Sequence, residues 1–301
     1  AFAGVLALWR KRSLRVTVPL ALLVGFSRIY TGNHTLVEVF AGYLWGTTVG
    51  LATGWTALRL WRGFGGPLVP EHPVERPPER RAFLVLLGAW TLLNFAFVHS
   101  GTFTLSGDEA QYWTWSRELQ WGYYSKPPLI AWLMAGLTAG GGSKEWAIRS
   151  GAVLLHSGTL ALLYSLTLRI SKRDWAAFVA VLAAASMPAS WAGSVILTPD
   201  VPLAFCWLLA MYGFHRAVAG DKQWWLWTGL SLGVGFLAKY TILVLAASFV
   251  VYLVVVDRRW WRTAWPYAAA LVMFTCALPV VYWNWQHDWV SLKHTAAIGV
   301  Q

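Results

Sequence analysis

Five charged residues stand close together in one aromatic-rich stretch of a chain that is otherwise mostly apolar. The stretch reads SGDEAQYWTWSRELQWGYYSKPPL at 106–129, and its charged residues are Asp108, Glu109, Arg117, Glu118 and Lys126. A carboxylate can accept the proton of a hydroxyl that attacks an electrophilic carbon, and a lysine or arginine can bind a phosphate. The pattern therefore indicates either a site of chemistry or a polar connector between helices.

Other polar residues stand alone between apolar runs: Asp200 in TPD, Lys239 in LAKYT, and His287 and Asp288 in NWQHDW. A lysine between two apolar segments is costly in lipid, which marks it as a functional candidate, although a snorkelling side chain is the structural alternative. Asp200 stands two residues before a proline, a pattern that also predicts a helix N-cap. His287 and Asp288 are candidate ligands of a divalent cation. The sequence indicates no other cofactor.

A different set of residues stands near the start of the chain, in SRIYTGNHTLVE at 27–38. Glu38 follows His34 by four positions, which places both on one face if the segment is helical. Arg28 can hold a phosphate oxygen, and a histidine oriented by a carboxylate can act as a nucleophile or an acid–base group. The alternative is an ordinary loop at the membrane edge, followed by a capped helix.

The composition places the chain among multi-pass membrane proteins. Hydrophobic residues make up 57% of its 301 residues and charged residues only 12%, against about 25% charged residues in soluble proteins. The mean hydropathy is +0.50. Cys206 and Cys276 both lie in apolar runs, which argues against a disulfide framework or a cysteine metal site.

Apolar segments predict membrane-spanning helices, since a helix needs roughly 20 apolar residues to cross the hydrocarbon core. The predicted spans are 13–30, 37–59, 82–98, 148–168, 175–197, 201–216, 225–238, 240–256 and 263–285. The spans on either side of Lys239 are short, which predicts a hairpin of tilted or broken helices. The run at 129–138 is too short to cross and predicts a helix at the membrane interface.

The positive charges indicate how these helices are oriented. The net charge is +11, but most lysines and arginines lie in five short connectors, 10–15, 59–81, 169–173, 216–222 and 258–262. Basic connectors are typical of the cytoplasmic side, so we expect the segment 99–147, TPD and NWQHDW to face the exterior. The sequence shows no single basic face, which argues against a nucleic-acid partner.

The Pro- and Arg-rich stretch 62–81 predicts a cytoplasmic linker that separates a short part, 1–61, from a long part, 82–301. The chain opens without an initiator Met and stops soon after NWQHDW, so we expect it to be part of a longer protein. The sequence shows no internal repeat, and its carboxylates lie in predicted outward connectors. Both observations argue against a transporter.

The segment 27–38 closely resembles the third signature of the type 2 phosphatidic acid phosphatase family. The resemblance implies that 1–61 is the C-terminal fragment of such a membrane domain, with His34 as the phosphohistidine nucleophile beside Arg28. Glu38 stands where the family has the supporting Asp, and the family's two earlier signatures are absent from this chain. The resemblance of 27–38 makes a lipid phosphatase the alternative main activity of the full-length protein.

The long part resembles the membrane glycosyltransferases of family 39 and the related aminoarabinose transferases, through DEAQYW, KPPL, TPDVPL and NWQHDW taken together. The resemblance implies an all-α polytopic fold of the GT-C type, a transmembrane helix bundle with interfacial helices in the first outer loop. It also implies transfer of a sugar from an undecaprenyl-phosphate-linked donor at the bacterial inner membrane. The acceptor would be an extracytoplasmic glycolipid such as lipid A, a glycan or a protein, with membrane lipids as further partners.

The same resemblance implies roles for individual residues, because the family has its catalytic centre in the first outer loop. Asp108 is then the general base, Asp200 is a second catalytic carboxylate, and a single displacement inverts the anomeric carbon. Lys126, Lys239 and Arg117, in that order, are the residues expected to bind the donor phosphate. The remaining candidates, expected on the acceptor side, are Glu109, Tyr124, His287 and Asp288.

Overall fold

The computed structural model describes residues 78–142 and 144–298. The predicted fragment 1–61 and most of the predicted linker 62–81 lie outside these residues. So do the three side chains predicted for phosphatase chemistry, Arg28, His34 and Glu38. The described residues from the first helix to Ser291 belong to one compact unit.

The described residues form eleven α-helices and one short 3₁₀-helix, with no strand among them. The first six α-helices are α1 (Pro78–His99), α2 (Gly107–Trp115), α3 (Leu129–Gly141), α4 (Glu145–Ser171), α5 (Asp174–Ala185) and α6 (Pro188–Val195). The remaining α-helices are α7 (Asp200–Val218), α8 (Trp224–Ala238), α9 (Ile242–Val255), α10 (Trp265–Gln286) and α11 (Val290–Ile298). The 3₁₀-helix, Arg258–Arg262, joins α9 to α10.

Four of the described helices are long and apolar enough to cross a membrane: α1, α4, α7 and α10, with 22, 27, 19 and 22 residues. At 1.5 Å per residue a 22-residue helix is about 33 Å long, enough for the hydrocarbon core. The chain is thus an all-α polytopic membrane protein. The predicted pair of short helices is confirmed, since α8 and α9 have 15 and 14 residues and meet at the segment that contains Lys239.

The predicted span 175–197 is not one continuous helix. Two helices, α5 and α6, cover this segment and meet at an angle of 77°. Pro188 begins α6, and Met187 before it has the extended backbone angles φ −75° and ψ 136°. A proline removes an N–H donor and disfavours the helical conformation of the preceding residue, which explains the break.

Helix α4 lies at the centre of the bundle and packs against α1, α3, α5, α6 and α7. Its N-terminal half buries small and β-branched residues on several sides, including Ala147, Ile148, Ala152 and Val153. His156, on the same helix, lies 3.0 Å from the hydroxyl of Ser190 through its Nε2 atom. His156 is thus a packed, hydrogen-bonded residue of the bundle.

Helices α8 and α10 approach each other closely along two glycines one helical turn apart. A Cβ atom on Gly229 would meet backbone atoms of Ala269, and one on Gly233 would lie 2.6 Å from the Cβ atom of Cys276. Small residues with this spacing let two membrane helices pack at short distance. The contact fixes α8, and therefore its C-terminal end at Lys239, against α10.

We expect Gly229→Ala to destabilise the protein, because the added methyl group collides with backbone that cannot rotate away. Overpacking of this kind costs about 1–3 kcal/mol. The free energy of unfolding in detergent, measured by denaturant titration, checks this prediction. Gly88→Ala in α1 is the matched control, since nothing lies within 4 Å of its added Cβ atom; equal stability of the two variants would contradict the prediction.

Candidate active site

The ends of several helices meet at one end of the bundle. There the Lys239 ammonium lies 2.7 Å from Asp200 Oδ1, which joins the end of α8 to the start of α7. Trp283 Nε1 of α10 donates to Gln120 Oε1 at 3.0 Å. The first contact joins α8 to α7, and the second joins the segment 116–128 to α10. The basic connectors 216–222 and 258–262 lie at the opposite ends of α7, α8 and α10, and the basic connector 169–173 lies at the C-terminal end of α4.

Asp108 is positioned by the first turn of α2. Ser106 caps this helix: its hydroxyl accepts from the Glu109 N–H at 3.3 Å, while its own N–H donates to Glu109 Oε2 at 3.0 Å. Such a capping box satisfies two N–H groups that would otherwise lack partners. The Asp108 side chain is exposed, at the positive end of the helix dipole. Asp108 is therefore an accessible carboxylate on a fixed backbone.

Glu109, the next residue, is fully buried and forms an ion pair with Arg149 of α4, with 2.9 Å between Oε2 and Nη2. Arg149 also donates to the carbonyl oxygens of Phe103 and Thr104, each at 2.8 Å. The backbone N–H of Leu197 donates to Glu109 Oε1 at 3.2 Å. One ion pair thus joins the segment before α2, the core helix α4 and the turn that precedes Asp200.

These contacts place Glu109 differently from the sequence-based expectation. A side chain with 0% exposure does not face an acceptor, so Glu109 acts through the segments that it holds in place. Arg149 was not among the predicted site residues. Its position near the outer end of the predicted span 148–168 was the available signal, because an ionisable residue inside a span is costly unless it is paired.

Asp200 is the first residue of α7, and its carboxylate pairs with Lys239. The prediction that Asp200 is the N-cap is wrong: Pro199 occupies that position, and no side chain caps the helix. The Asp200 side chain is 64% exposed and that of Lys239 33%. Lys239 ends α8 with an extended backbone, φ −161° and ψ 135°, which turns the chain toward α9.

Tyr112 of α2 is buried and feels the charge of both exposed carboxylates. Its pKa is raised from 10.0 to about 12, first by burial and then by the negative charges of Asp108 and Asp200. The phenol therefore stays protonated at physiological pH, within electrostatic range of both carboxylates. We call Asp108, Tyr112, Asp200 and Lys239 the outer carboxylate cluster. The sequence named three of these residues but not Tyr112.

Tyr123 fixes the segment that carries Lys126. Its ring stacks on Trp115 with 4.6 Å between centroids, and its hydroxyl lies 3.0 Å from the Trp115 carbonyl oxygen. Burial raises the pKa of this hydroxyl. The hydrogen bond with the Gln120 backbone opposes this shift, and the Glu118 carboxylate adds a smaller increase. The Tyr123 N–H donates to the Lys126 carbonyl oxygen at 3.1 Å. The Lys126 backbone is thereby held, and its side chain is half-buried.

Arg117 is bound to the neighbouring helix α3, whereas Tyr124 is largely exposed. The Arg117 guanidinium donates to Thr138 Oγ1 of α3 at 2.7 Å and lies 5.2 Å from the Trp113 ring centroid. These contacts join the end of α2 to α3, so the Arg117 guanidinium already has partners within the fold. Tyr124 is 56% exposed and lies two residues before Lys126.

The NWQHDW motif closes the same end of the bundle. The His287 ring stacks on Trp283 with 4.0 Å between centroids, and its Nδ1 atom lies 2.8 Å from the Trp283 carbonyl oxygen. Asp288 has a left-handed backbone, φ 51°, and both His287 and Asp288 are exposed. Within residues 78–142 and 144–298, no group of three or more His, Cys, Asp or Glu side chains is placed to hold a metal ion.

Residues 125–283 match the family described as dolichyl-phosphate-mannose-protein mannosyltransferase. The chain is also similar to the lipid A galacturonosyltransferase RgtD of Rhizobium johnstonii, with 31% identity over 226 residues, which cover 73% of this chain and 46% of the relative. The lipopolysaccharide core galacturonosyltransferase RgtA of the same organism is 30% identical over 209 residues, 66% of this chain and 41% of the relative. The chain spans less than half the length of these relatives. No solved structure matches the chain significantly.

We expect Arg149→Met to lower the free energy of unfolding by about 3–5 kcal/mol, because it leaves the Glu109 carboxylate buried without a counter-charge. Denaturant titration of the purified protein measures this loss. Arg259→Met is the control, since the Arg259–Asp257 pair is largely exposed on the arginine side, at 69%, and such pairs contribute about 1 kcal/mol or less. Similar losses of unfolding free energy in both variants would contradict the prediction that the buried Glu109–Arg149 pair is more costly to break than an exposed pair.

Proposed function

The chain belongs to the dolichyl-phosphate-mannose-protein mannosyltransferase family, and from this premise we propose that it carries the catalytic centre of a membrane glycosyltransferase that uses a polyprenyl-phosphate-linked sugar. The observation that supports the site assignment is the outer carboxylate cluster. It combines an exposed carboxylate on a rigid helix start with a second carboxylate paired to a lysine. Such a cluster provides a base for the acceptor and a cation for the leaving phosphate.

Asp108 is the proposed general base. An acceptor hydroxyl attacks the anomeric carbon, its O–H proton passes to the Asp108 carboxylate, and the bond between that carbon and the phosphate oxygen breaks. A positioned base of this kind contributes roughly 10²–10⁴-fold to the rate. The capping box at Ser106 and the neighbouring ion pair of Glu109 support this role, because they hold the Asp108 backbone in one place.

Lys239 and Lys126 are the proposed ligands of the leaving phosphate. An ammonium group has three N–H donors, so Lys239 can keep its bond to Asp200 and still donate to a phosphate oxygen. Asp200 then orients Lys239 and balances its charge before the donor binds. Lys126 supplies a second cation from the segment that Tyr123 fixes.

The proposed donor carries a uronic acid, and the proposed acceptor is lipid A or the lipopolysaccharide core. The names of the relatives RgtD and RgtA support this choice, since both describe galacturonosyl transfer to these acceptors. A uronic acid adds a carboxylate to the phosphate of the donor. Two lysines at one end of the bundle suit a substrate with two negative groups.

The proposed location is the bacterial inner membrane, with the outer carboxylate cluster facing the periplasm. Basic connectors at the opposite end of the same helices support this orientation. The lipid phosphatase alternative depends on Arg28, His34 and Glu38, which lie outside the described residues. It therefore stays a prediction from sequence for the full-length protein.

Asp108→Asn in the full-length protein should lower the turnover number by about 100-fold or more, because an amide cannot accept the acceptor proton. Mass spectrometry of the glycosylated lipid, formed from purified donor and acceptor, measures the rate. Glu118→Gln is the matched control: it removes an exposed carboxylate from the same segment, and we expect nearly unchanged turnover. Near-normal turnover of Asp108→Asn would remove this residue from the mechanism.

Lys239→Gln should lower kcat/KM for the donor by about 10- to 100-fold, the range expected for the loss of a hydrogen bond to a charged group. Steady-state kinetics at varied donor concentration check this prediction. Lys144→Gln removes an exposed lysine at the same end of the bundle, and it should leave kcat/KM nearly unchanged. An equal decrease in both variants would point to a general loss of positive charge rather than to a phosphate ligand.

A further inference from the structure

A cavity of about 510 Å³ lies at the end of the bundle opposite to the outer carboxylate cluster. It is bounded by the first turns of α1, the last turns of α4 and the inner half of α7. The residues that line it are Arg80, Phe83, Leu84, Tyr164, Ser165, Leu168, Arg169, Lys172 and Tyr212. None of the residues assigned to sugar transfer is among them, so the cavity is separate from the proposed catalytic centre.

The cavity is cationic. Three of its lining residues are basic, and within the described part of the chain no carboxylate lines it. Arg169 donates from Nε to His215 Nδ1 at 3.2 Å, which leaves its other N–H groups available. Neither Arg80 nor Lys172 has an ion-pair partner among the described residues. The neighbouring Asp174 carboxylate is engaged by the Tyr164 hydroxyl, which donates to it at 2.5 Å.

The cavity also has an apolar wall at the level where two spanning helices end. Phe83 is buried and stacks on Tyr164, with 3.9 Å between ring centroids. Leu84 is 50% exposed, on the outside of α1, and Leu168 lies one turn before the end of α4. A ligand held by the basic residues would therefore extend along apolar side chains toward the hydrocarbon core.

We propose that this cavity binds the head group of an anionic phospholipid from the leaflet opposite to the outer carboxylate cluster. Basic pockets between membrane helices are suited to anionic head groups, and arginine forks match phosphate oxygens. The phosphate lies among Arg80, Arg169 and Lys172, and the acyl chain lies along Leu84 and Leu168. The bound lipid bridges α1 and α4. The apolar wall favours a lipid over free phosphate as the occupant.

Native mass spectrometry of the full-length protein in detergent tests the proposal, with phosphatidylglycerol, phosphatidylcholine and inorganic phosphate as probes. We expect specific retention of phosphatidylglycerol. The double variant Arg80→Gln/Lys172→Gln should weaken this retention by roughly 25-fold, since each basic residue near an anionic head group contributes about fivefold. Both side chains are exposed, and the Arg169–His215 hydrogen bond is kept.

The matched control is Lys222→Gln/Arg262→Gln, which removes one lysine and one arginine from connectors at the same end but outside the cavity. We expect retention close to that of the unmodified protein. Equal weakening in the control, equal retention of phosphatidylcholine, or full displacement of the lipid by inorganic phosphate would each overturn the proposal. The lipid comparison on the unmodified protein tests it without any substitution, and it is independent of the outcome for Asp108.

Discussion

The buried ion pair between Glu109 and Arg149 is the interaction on which the geometry of the outer end depends. Removing two charges from water is costly, and the cost is offset only when their remaining donors and acceptors are also satisfied. Here the Glu109 carboxylate accepts from the Arg149 guanidinium and from two backbone N–H groups, one at the N-cap of α2 and one shortly before α7. The guanidinium also donates to two backbone carbonyl oxygens. The segment before α2 and the start of α7 are both held through this pair. The two exposed carboxylates Asp108 and Asp200 thereby belong to one cluster.

Much of the bundle could be predicted from the sequence, because membrane crossings need long apolar runs and charged residues collect at their ends. The break at Lys239 followed from the same reasoning. The break at Pro188 did not, although a proline inside an apolar run is a known signal for a kink. The angle between α5 and α6 depends on how both helices pack against α4, which the sequence alone does not specify.

The ion pairs within the candidate site could not be predicted from the sequence, for a physical reason. Asp200 and Lys239 are 39 positions apart, and Glu109 and Arg149 are 40, so each contact depends on how whole helices pack. Asp108 and Glu109 are adjacent carboxylates with similar intrinsic chemistry. Neighbouring helix positions point about 100° apart, and only the surrounding fold decides that one faces water and the other Arg149. The family match begins at residue 125, after both of them.

The shortness of α8 and α9 has a consequence for the surrounding lipid. Helices of 15 and 14 residues are about 20 Å long, roughly 10 Å less than the hydrocarbon thickness of a typical bilayer. Such a hydrophobic mismatch makes the bilayer thin locally or lets water penetrate beside the short helices. Thinning of this kind would bring Lys239, at the junction of α8 and α9, close to water, whereas a longer hairpin would leave it in hydrocarbon. The proposed lipid-linked donor would reach Lys239 there without its chain being pulled out of the membrane.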